Sequence, residues 1–467
     1  MVDGHANHDG WSAESMSDER PILVRYGPAL APADDRDLPD MPTVRTAAIG
    51  VRERQPDASA DGYAGAAPTK RNGAWRPLAK QALVLWLATR LLMVVFTLAA
   101  AAFEAVHGDR QVLSSPGAML ELWRRFDTTA YLHIVERGYV GLNQAAFFPL
   151  YPLLIAGPAH LFGAGSDLLV ALLISNLGTL AAFLGIAKLA VDEGGGQRMA
   201  RNAMIALAAY PMAFFLGAAY TEGPFIAAAV WCLWAMRRGR WSTAVGCALF
   251  AALLRPTGVI LYAPLLFEFA RQHAESLTGW WQSLRATVRR NAPQTLAVLL
   301  ASPLGIGLYS LYCAVHFGDL LGWMHSEGRY WGRPSMPIWQ ALHDTSVYIV
   351  SLRPLSSMQD KKLVDYLAIL LVLAVTIALI RRQPVAFTLY LAGLLYLTLD
   401  SPFVISAGQH YAVYLSASRY MLPAIPVFLA LGRWGLRSPR LALVALLGAL
   451  ALQAVFAMYF LQGGWVA

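Results

Sequence analysis

The sequence predicts an all-α, polytopic membrane protein. Three observations carry that prediction. Only 14% of the 467 residues are charged and 57% are hydrophobic, whereas a soluble domain has roughly 25% charged residues. Apolar runs of helix length recur from residue 79 to residue 460. Backbone polar groups in lipid have no water to bond, so runs of this kind are helical.

The first 74 residues differ from the rest. They are rich in Asp, Pro, Ala, Gly and Arg and lack an apolar period. This composition predicts a disordered tail over 1–74. With no apolar stretch behind a basic start, it does not read as a secretory signal. A basic cluster, Lys70, Arg71, Arg76 and Lys80, follows and precedes the first span. Residues 75–467 then read as one membrane domain. The net charge of +8 is a topology signal in such a chain rather than a nucleic-acid footprint.

Apolar runs fall at about 79–106, 167–190, 199–219, 222–237, 240–254, 256–270, 293–316, 363–380, 383–399, 419–433 and 440–460. Lys and Arg near the ends of spans mark the cytoplasmic side. The basic groups are Arg198 and Arg201, Arg237, Arg238 and Arg240, Arg271 with Arg285, Arg289 and Arg290, Arg381 and Arg382, and Arg433 to Arg440. With the tail cytoplasmic, the first span exits near His107. The first outer loop, 108–166, then lies outside.

One apolar piece, "FFPLYPLLIAGPAHLFG" at 147–163, breaks the alternation if it crosses. Its prolines Pro149, Pro152 and Pro158 disfavour a regular helix. It reads as re-entrant or interfacial. The expectation is therefore about 11 transmembrane helices with a re-entrant first outer loop. No internal repeat is apparent, which weighs against a transporter built from inverted halves. Cys232, Cys247 and Cys313 sit inside apolar runs without CxxC spacing, so they read as buried free thiols.

Under this topology the ionisable residues of the outer side gather in a few places. "WRRFDTTAYLHIVERGY" (123–139) carries the densest set. Arg124, Arg125 and Glu136 fit the solvated face of an interfacial helix. Asp127, flanked by Phe126 and an apolar stretch, fits a partly desolvated carboxylate that acts as a general base. Tyr131 lies four residues on and shares its helical face.

Glu222, in "AYTEGPF", reads two ways: as a helix-start carboxylate that complements the dipole, with Thr221 a candidate cap, or as a site residue that orients an arginine or a sugar hydroxyl. Arg255, in "LLRPTGV", lies between two apolar runs, where an arginine is costly and paired or functional. Arg419, in "SASRY", opens a later run, with Tyr420 beside it. Guanidinium groups bind phosphate oxygens through paired bonds, so Arg255 and Arg419 are candidate phosphate ligands, with arginines snorkelling to the membrane interface as the alternative. The loop "MHSEGRYWGRP" (324–334) adds His325, Glu327, Arg329, Tyr330 and Trp331, a mixture of rings and polar groups that suits a sugar. A membrane-interface aromatic belt accounts for Trp331 equally well. His133 and His410 are candidate proton carriers, against a structural role. No HExxH or DxD spacing supports a metal, and no cofactor is indicated.

"WRRFDTTAYLHIVERGY" followed by "AAFFPLYPLLI" resembles the signature of the mannosyltransferases that add the second mannose of the glycosylphosphatidylinositol anchor (the Pig-V type) and their bacterial relatives. "AAYTEGPFIAAAV", "RGRWSTAVGCALFAALLRPTGVIL" and "SASRYMLPAIPVFLAL" resemble later blocks in the same order, so the likeness covers about 79–460. Phe126 stands where that family commonly has Trp, and Thr221 where it has Ser. The resemblance implies a C-type (GT-C) glycosyltransferase fold, a polyprenyl-phosphate sugar donor, a lipid or glycan acceptor, and Asp127 as the catalytic acid of the first outer loop. Mannose enters only through that resemblance. A transporter or flippase of a lipid-linked sugar is the rival reading. It calls for ionisable groups along a path through the bilayer.

Overall fold

The computed structural model describes residues 75–108, 110–163, 165–273, 291–350, 359–406 and 410–466. The tail expected over 1–74, and Arg285, Arg289 and Arg290, lie outside the described residues. The described chain is helical apart from one short hairpin, in which β1 (Phe403–Ser406) pairs antiparallel with β2 (His410–Val413). The hairpin lies between the apolar runs 383–399 and 419–433.

Five helices are long and apolar enough to cross a membrane. They are α1 (Trp75–Val106), α5 (Asp167–Asp192), α10 (Ala292–Phe317), α13 (Gln359–Leu379, apolar from Lys362) and α17 (Pro439–Leu461). The outward sides of α1 and α17 are apolar: Leu87, Leu91, Val94, Leu441, Val444 and Leu447 are all exposed. Side chains of this kind left uncovered along two long helices suit hydrocarbon, not water.

The other six apolar runs carry shorter or interrupted helices. Helices α7 (Glu222–Arg237), α8 (Trp241–Leu254) and α14 (Val385–Asp400) are continuous but short. The run 199–219 divides where α6 (Gly196–Ala209) stops before Pro211, and a 3₁₀ turn follows at Ala213–Leu216. The run from 256 opens as a 3₁₀ turn, Pro256–Leu261, before α9 (Tyr262–His273). The run 419–433 consists of a single turn, α15 (Ala417–Tyr420), then α16 (Ile425–Arg437) behind Pro423. In each case a proline at the break removes a donor and crowds the preceding turn.

The stretch between α6 and α7 shows how such a break is tolerated inside a bundle. Its carbonyls have no helical partners, and neighbouring side chains supply them. Thr179 Oγ1 donates to Leu216 O at 2.6 Å, Asn176 Nδ2 to Gly217 O at 3.2 Å and Ser175 Oγ to Tyr220 O at 2.6 Å. Arg90 of α1 donates to Leu216 O at 3.2 Å. Irregular backbone at membrane depth survives only when protein groups satisfy it in this way.

Helix α7 is apolar around its whole circumference and almost wholly buried, as an all-round hydrophobic helix must be. It packs between α5 and α8. Gly178 of α5 and Gly223 of α7 bring the backbones together. A Cβ on Gly178 would meet Pro224 N at 2.4 Å, and one on Gly223 would meet Ser175 O at 2.4 Å. This close seam seats Glu222, the first residue of α7, deep in the bundle.

Residues 110–162 fold as short helices against the bundle. They include α2 (Pro116–Leu120), α3 (Asp127–Arg137) and α4 (Leu150–Phe162). Helix α4 falls in the piece 147–163 expected to be re-entrant or interfacial, and its prolines do not prevent a regular helix. Pro149 stands just before its first residue, Pro152 falls in the first turn, where its missing N–H costs nothing, and Pro158 is carried inside the helix. At 13 residues it is about 20 Å long, well short of the roughly 30 Å hydrocarbon core. Helix α11 (Gly322–Tyr330) packs against the turn at Leu142–Gln144, and α12 (Ile338–Val350) packs against β2, α13 and α14.

Arg237, Arg238, Arg271 and Arg433, from three of the basic groups, meet around Asp192, Glu193 and Glu268. Arg237 binds Glu193 at 3.0 Å and Glu268 at 3.4 Å, Arg238 binds Asp192 at 3.1 Å, and Arg433 reaches Glu193 O at 3.4 Å. Cys232 and Cys313 are buried free thiols as expected, while Cys247 is only half-buried.

Candidate active site

Asp127 and Glu222 are both the first residues of helices, α3 and α7, where the partial positive charge of the N-terminus favours a carboxylate. Arg255 follows the last residue of α8, and Arg419 sits in α15. The fold brings these four residues, spread over 292 positions of sequence, into one cluster. Arg419 Nη1 donates to Asp127 Oδ2 at 2.8 Å and Arg255 Nη1 to Glu222 Oε1 at 2.7 Å. Arg419 Nε lies 3.4 Å from the same Glu222 oxygen. The Glu222 side chain is 1% exposed and that of Asp127 is 15% exposed, so Asp127 is the acid open to a ligand.

The two arginines expected to clamp a phosphate are thus each held by a carboxylate. Rings surround them. Arg419 lies 5.4 Å from the ring centres of Phe215, Tyr220 and Tyr420, and Arg255 lies 5.7 Å from Tyr420. Burial among rings removes water from the pairs and strengthens them.

Two backbone features aim the Asp127–Arg419 pair. Phe126 and Ser416 are the non-glycine residues with positive φ among the described residues, at +48° and +68°. Each precedes one partner of the pair by at most three residues. Conformations of this kind cost about 1–3 kcal/mol and persist only where the surroundings hold them. Phe126 is held by Phe460, 5.7 Å away, and by Trp465, 5.0 Å away and edge-on. Ser416 and Ser418 are held by Asp365 of α13, which accepts from Ser416 N at 3.0 Å, Ser418 N at 2.7 Å and the Ser418 hydroxyl. The Asp127 N–H donates to the Tyr220 hydroxyl at 3.3 Å.

A cavity of about 1440 Å³ opens beside the cluster. Asp127, Tyr131, Arg255, Arg419 and Tyr420 line it, and so do His325, Glu327, Arg329 and Trp331 from the loop around α11. Tyr131 does share the Asp127 face. Its hydroxyl bonds Thr221, and burial pushes the phenol well above its ordinary range. Thr221 is therefore spent on Tyr131 and makes no side-chain cap to α7. Burial also raises the Glu327 carboxyl above its usual range, against the opposing charge of Arg333. His325 bonds Asp319 at 2.7 Å and draws that carboxyl below its ordinary range. Trp331 packs edge-on to Phe147 and donates to Asn143 O at 3.3 Å.

His133 is not at the cavity. Its Nδ1 lies 2.8 Å from Gln144 Nε2, and Gln144 in turn accepts from Val140 N, so the ring ties α3 to the turn that follows it. Of the two roles open to His133, the geometry shows the structural one, since the ring bonds Gln144 and does not line the cavity. The side chain of His410 lies outside the described residues. Glu222 stands behind the arginines rather than on the cavity wall.

Three residues of this region were not singled out from sequence: Arg333, Lys362 and Asp365. Asp365 gave a signal, since an acid within an apolar helix is rarely idle. Among the described residues, no group of three His, Cys, Asp or Glu side chains converges as metal ligands would. Compared with known proteins, the chain matches no protein-family model and no curated protein.

Proposed function

We propose that this chain is a membrane glycosyltransferase that moves a sugar, mannose by the resemblance of its motifs, from a polyprenyl-phosphate donor to a hydroxyl of a lipid or glycan acceptor. The observation that carries the reading is the placement of Asp127. It is a carboxylate on the wall of a cavity of about 1440 Å³, oriented by Arg419 at 2.8 Å, with Arg255 and rings beside it. In the reaction, Asp127 takes the proton of the acceptor hydroxyl as that oxygen attacks the anomeric carbon. The carbon–oxygen bond to phosphate breaks, and the lipid phosphate leaves with the electron pair. A single displacement inverts the anomeric centre. General-base help of this kind contributes about 10²–10⁴-fold, and fixed positive charge near the departing phosphate adds to it.

The basic groups that meet around Asp192, Glu193 and Glu268 support a cytoplasmic placement for that region and a periplasmic one for the site. The GT-C architecture belongs to the same proposal. The test is donor turnover. Purified protein is incubated with a panel of polyprenyl-phosphate sugars, and products are read by mass spectrometry. Release of polyprenyl phosphate with at least one sugar supports the reading. Exchange of labelled lipid-linked sugar across vesicles without bond cleavage replaces it with the flippase.

A further inference from the structure

We propose that Lys362 and Arg333 form an anion subsite on the cavity wall that takes the phosphate of a lipid phosphate ester. It deepens the transferase reading and rests on it only for the choice of donor lipid. The argument is one of charge. Asp127 and Glu222 balance Arg255 and Arg419, so that cluster has no net charge left to draw in a phosphate. Lys362 and Arg333 line the same cavity with Glu327 and Asp400, and among the described residues neither cation has a carboxylate at ion-pair distance.

Lys362 is 4% exposed. Its ammonium donates to the Tyr348 hydroxyl at 2.8 Å and lies 4.3 Å from the centre of that ring. A phenol and a ring face orient a cation without neutralising it. Arg333 donates to Leu415 O at 3.1 Å and lies 4.9 Å from the Tyr420 ring centre. Among the described residues, neither cation forms an ion pair. Glu327 and Asp365 feel the charge of Arg333 from beyond ion-pair distance, and Asp365 is already engaged by Ser416 and Ser418. Burying a cation without a counter-charge is costly. An anionic ligand in the cavity removes that cost.

The two cations share a platform. Arg333 holds the carbonyl of Leu415, and Asp365, one turn along α13 from Lys362, holds the amides of Ser416 and Ser418. The subsite is thus built on the segment that presents Arg419. Tyr420 links the two places, because Arg333, Arg255 and Arg419 all approach its ring. Guanidinium supplies paired bonds to phosphate oxygens and ammonium a point charge. The cavity exceeds the 300–1,000 Å³ typical of a small-molecule pocket, so it has room for a donor and an acceptor, and the phosphate can belong to either.

The experiment is lipid binding to the full chain in detergent, followed by intrinsic tryptophan fluorescence. The probes are a polyprenyl monophosphate and, separately, phosphatidylglycerol as a phosphate diester. Lys362→Gln and Arg333→Gln are each expected to weaken one probe by at least tenfold, and Lys362→Arg to restore most of the affinity. Loss confined to the monophosphate assigns the donor, and loss confined to the diester assigns an acceptor lipid. If Lys362→Gln does not fold, Arg333→Gln carries the comparison. Wild-type affinity for both probes in folded Lys362→Gln and Arg333→Gln overturns the subsite, whatever the transferase assay gives. Lys362-dependent lipid binding with no donor turned over leaves the subsite standing and overturns the transferase.

Discussion

Asp127 and Arg419 can be tested separately, because the pair predicts different outcomes for each partner. Asp127→Asn keeps the shape and a hydrogen-bond acceptor for Arg419 but loses the base, so transfer falls by about 10²–10⁴-fold with folding retained. Full activity in a folded Asp127→Asn protein removes the mechanism. Arg419→Gln instead leaves two carboxylates short of a partner in the interior. The cost is about 3–5 kcal/mol, seen as a lower unfolding midpoint. Ser416→Gly acts in the opposite sense. The serine has φ of +68°, and its hydroxyl has no hydrogen-bond partner among the described residues, so glycine relieves strain and raises stability by up to about 1 kcal/mol. Glu327 gives a pH signature. Its raised carboxyl pKa means that the native state holds the proton more tightly than the unfolded chain. Stability is therefore lost as pH rises from the ordinary Glu value of about 4.3 through the raised one. Glu327→Gln removes that loss, so the midpoint difference between variant and wild type grows with pH and then levels. Parallel curves would contradict the assignment.

The seam between α5 and α7 sets the depth of Glu222, and Gly178 and Gly223 set the seam. Gly178→Ala places a Cβ against the backbone of Pro224, which overpacks the contact at a cost of about 1–3 kcal/mol. Because the shift acts on the start of α7, activity falls further than stability alone requires, and the comparison of unfolding midpoint with turnover checks this. Sequence reading succeeds best at this scale where the physics is local. The long apolar helices, the shared face of Asp127 and Tyr131, and the acid at the start of α7 all follow from periodicity and helix ends. It fails where a helix is interrupted. Pro211 and Pro423 divide runs that hydropathy alone joins, Pro256 opens its run as a 3₁₀ turn, and α4 stays helical through Pro158. Which outcome a proline produces depends on the neighbours that satisfy the freed carbonyls, as Thr179, Asn176 and Ser175 do for 216–220.

At the scale of the whole chain, convergence is the property hardest to read from sequence. Asp127, Glu222, Arg255 and Arg419 are each visible as ionisable groups in apolar surroundings. That the arginines meet carboxylates rather than stand open to a phosphate depends on long-range packing. Lys362 and Arg333 escape notice because each sits at the edge of a polar loop, where a cation is unremarkable until a cavity is found beside it. The two ends of the molecule predict a labelling pattern. In a cysteine-free background, a cysteine at the exposed His343 reacts with an impermeant maleimide from outside intact cells, and one at Arg240 reacts only after the membrane is opened. The reverse pattern inverts the proposed orientation.

The bridge from Asp127 to Arg419 also constrains when the protein can work. The ribosome delivers the acid almost 300 positions ahead of its cation. A nascent chain that has inserted α1 to α14 holds Asp127 and Glu222 with a single arginine between them. On the proposed reading, chemistry waits until Arg419 has been made, so a product truncated before it is expected to be inert however well its earlier helices have settled in the bilayer.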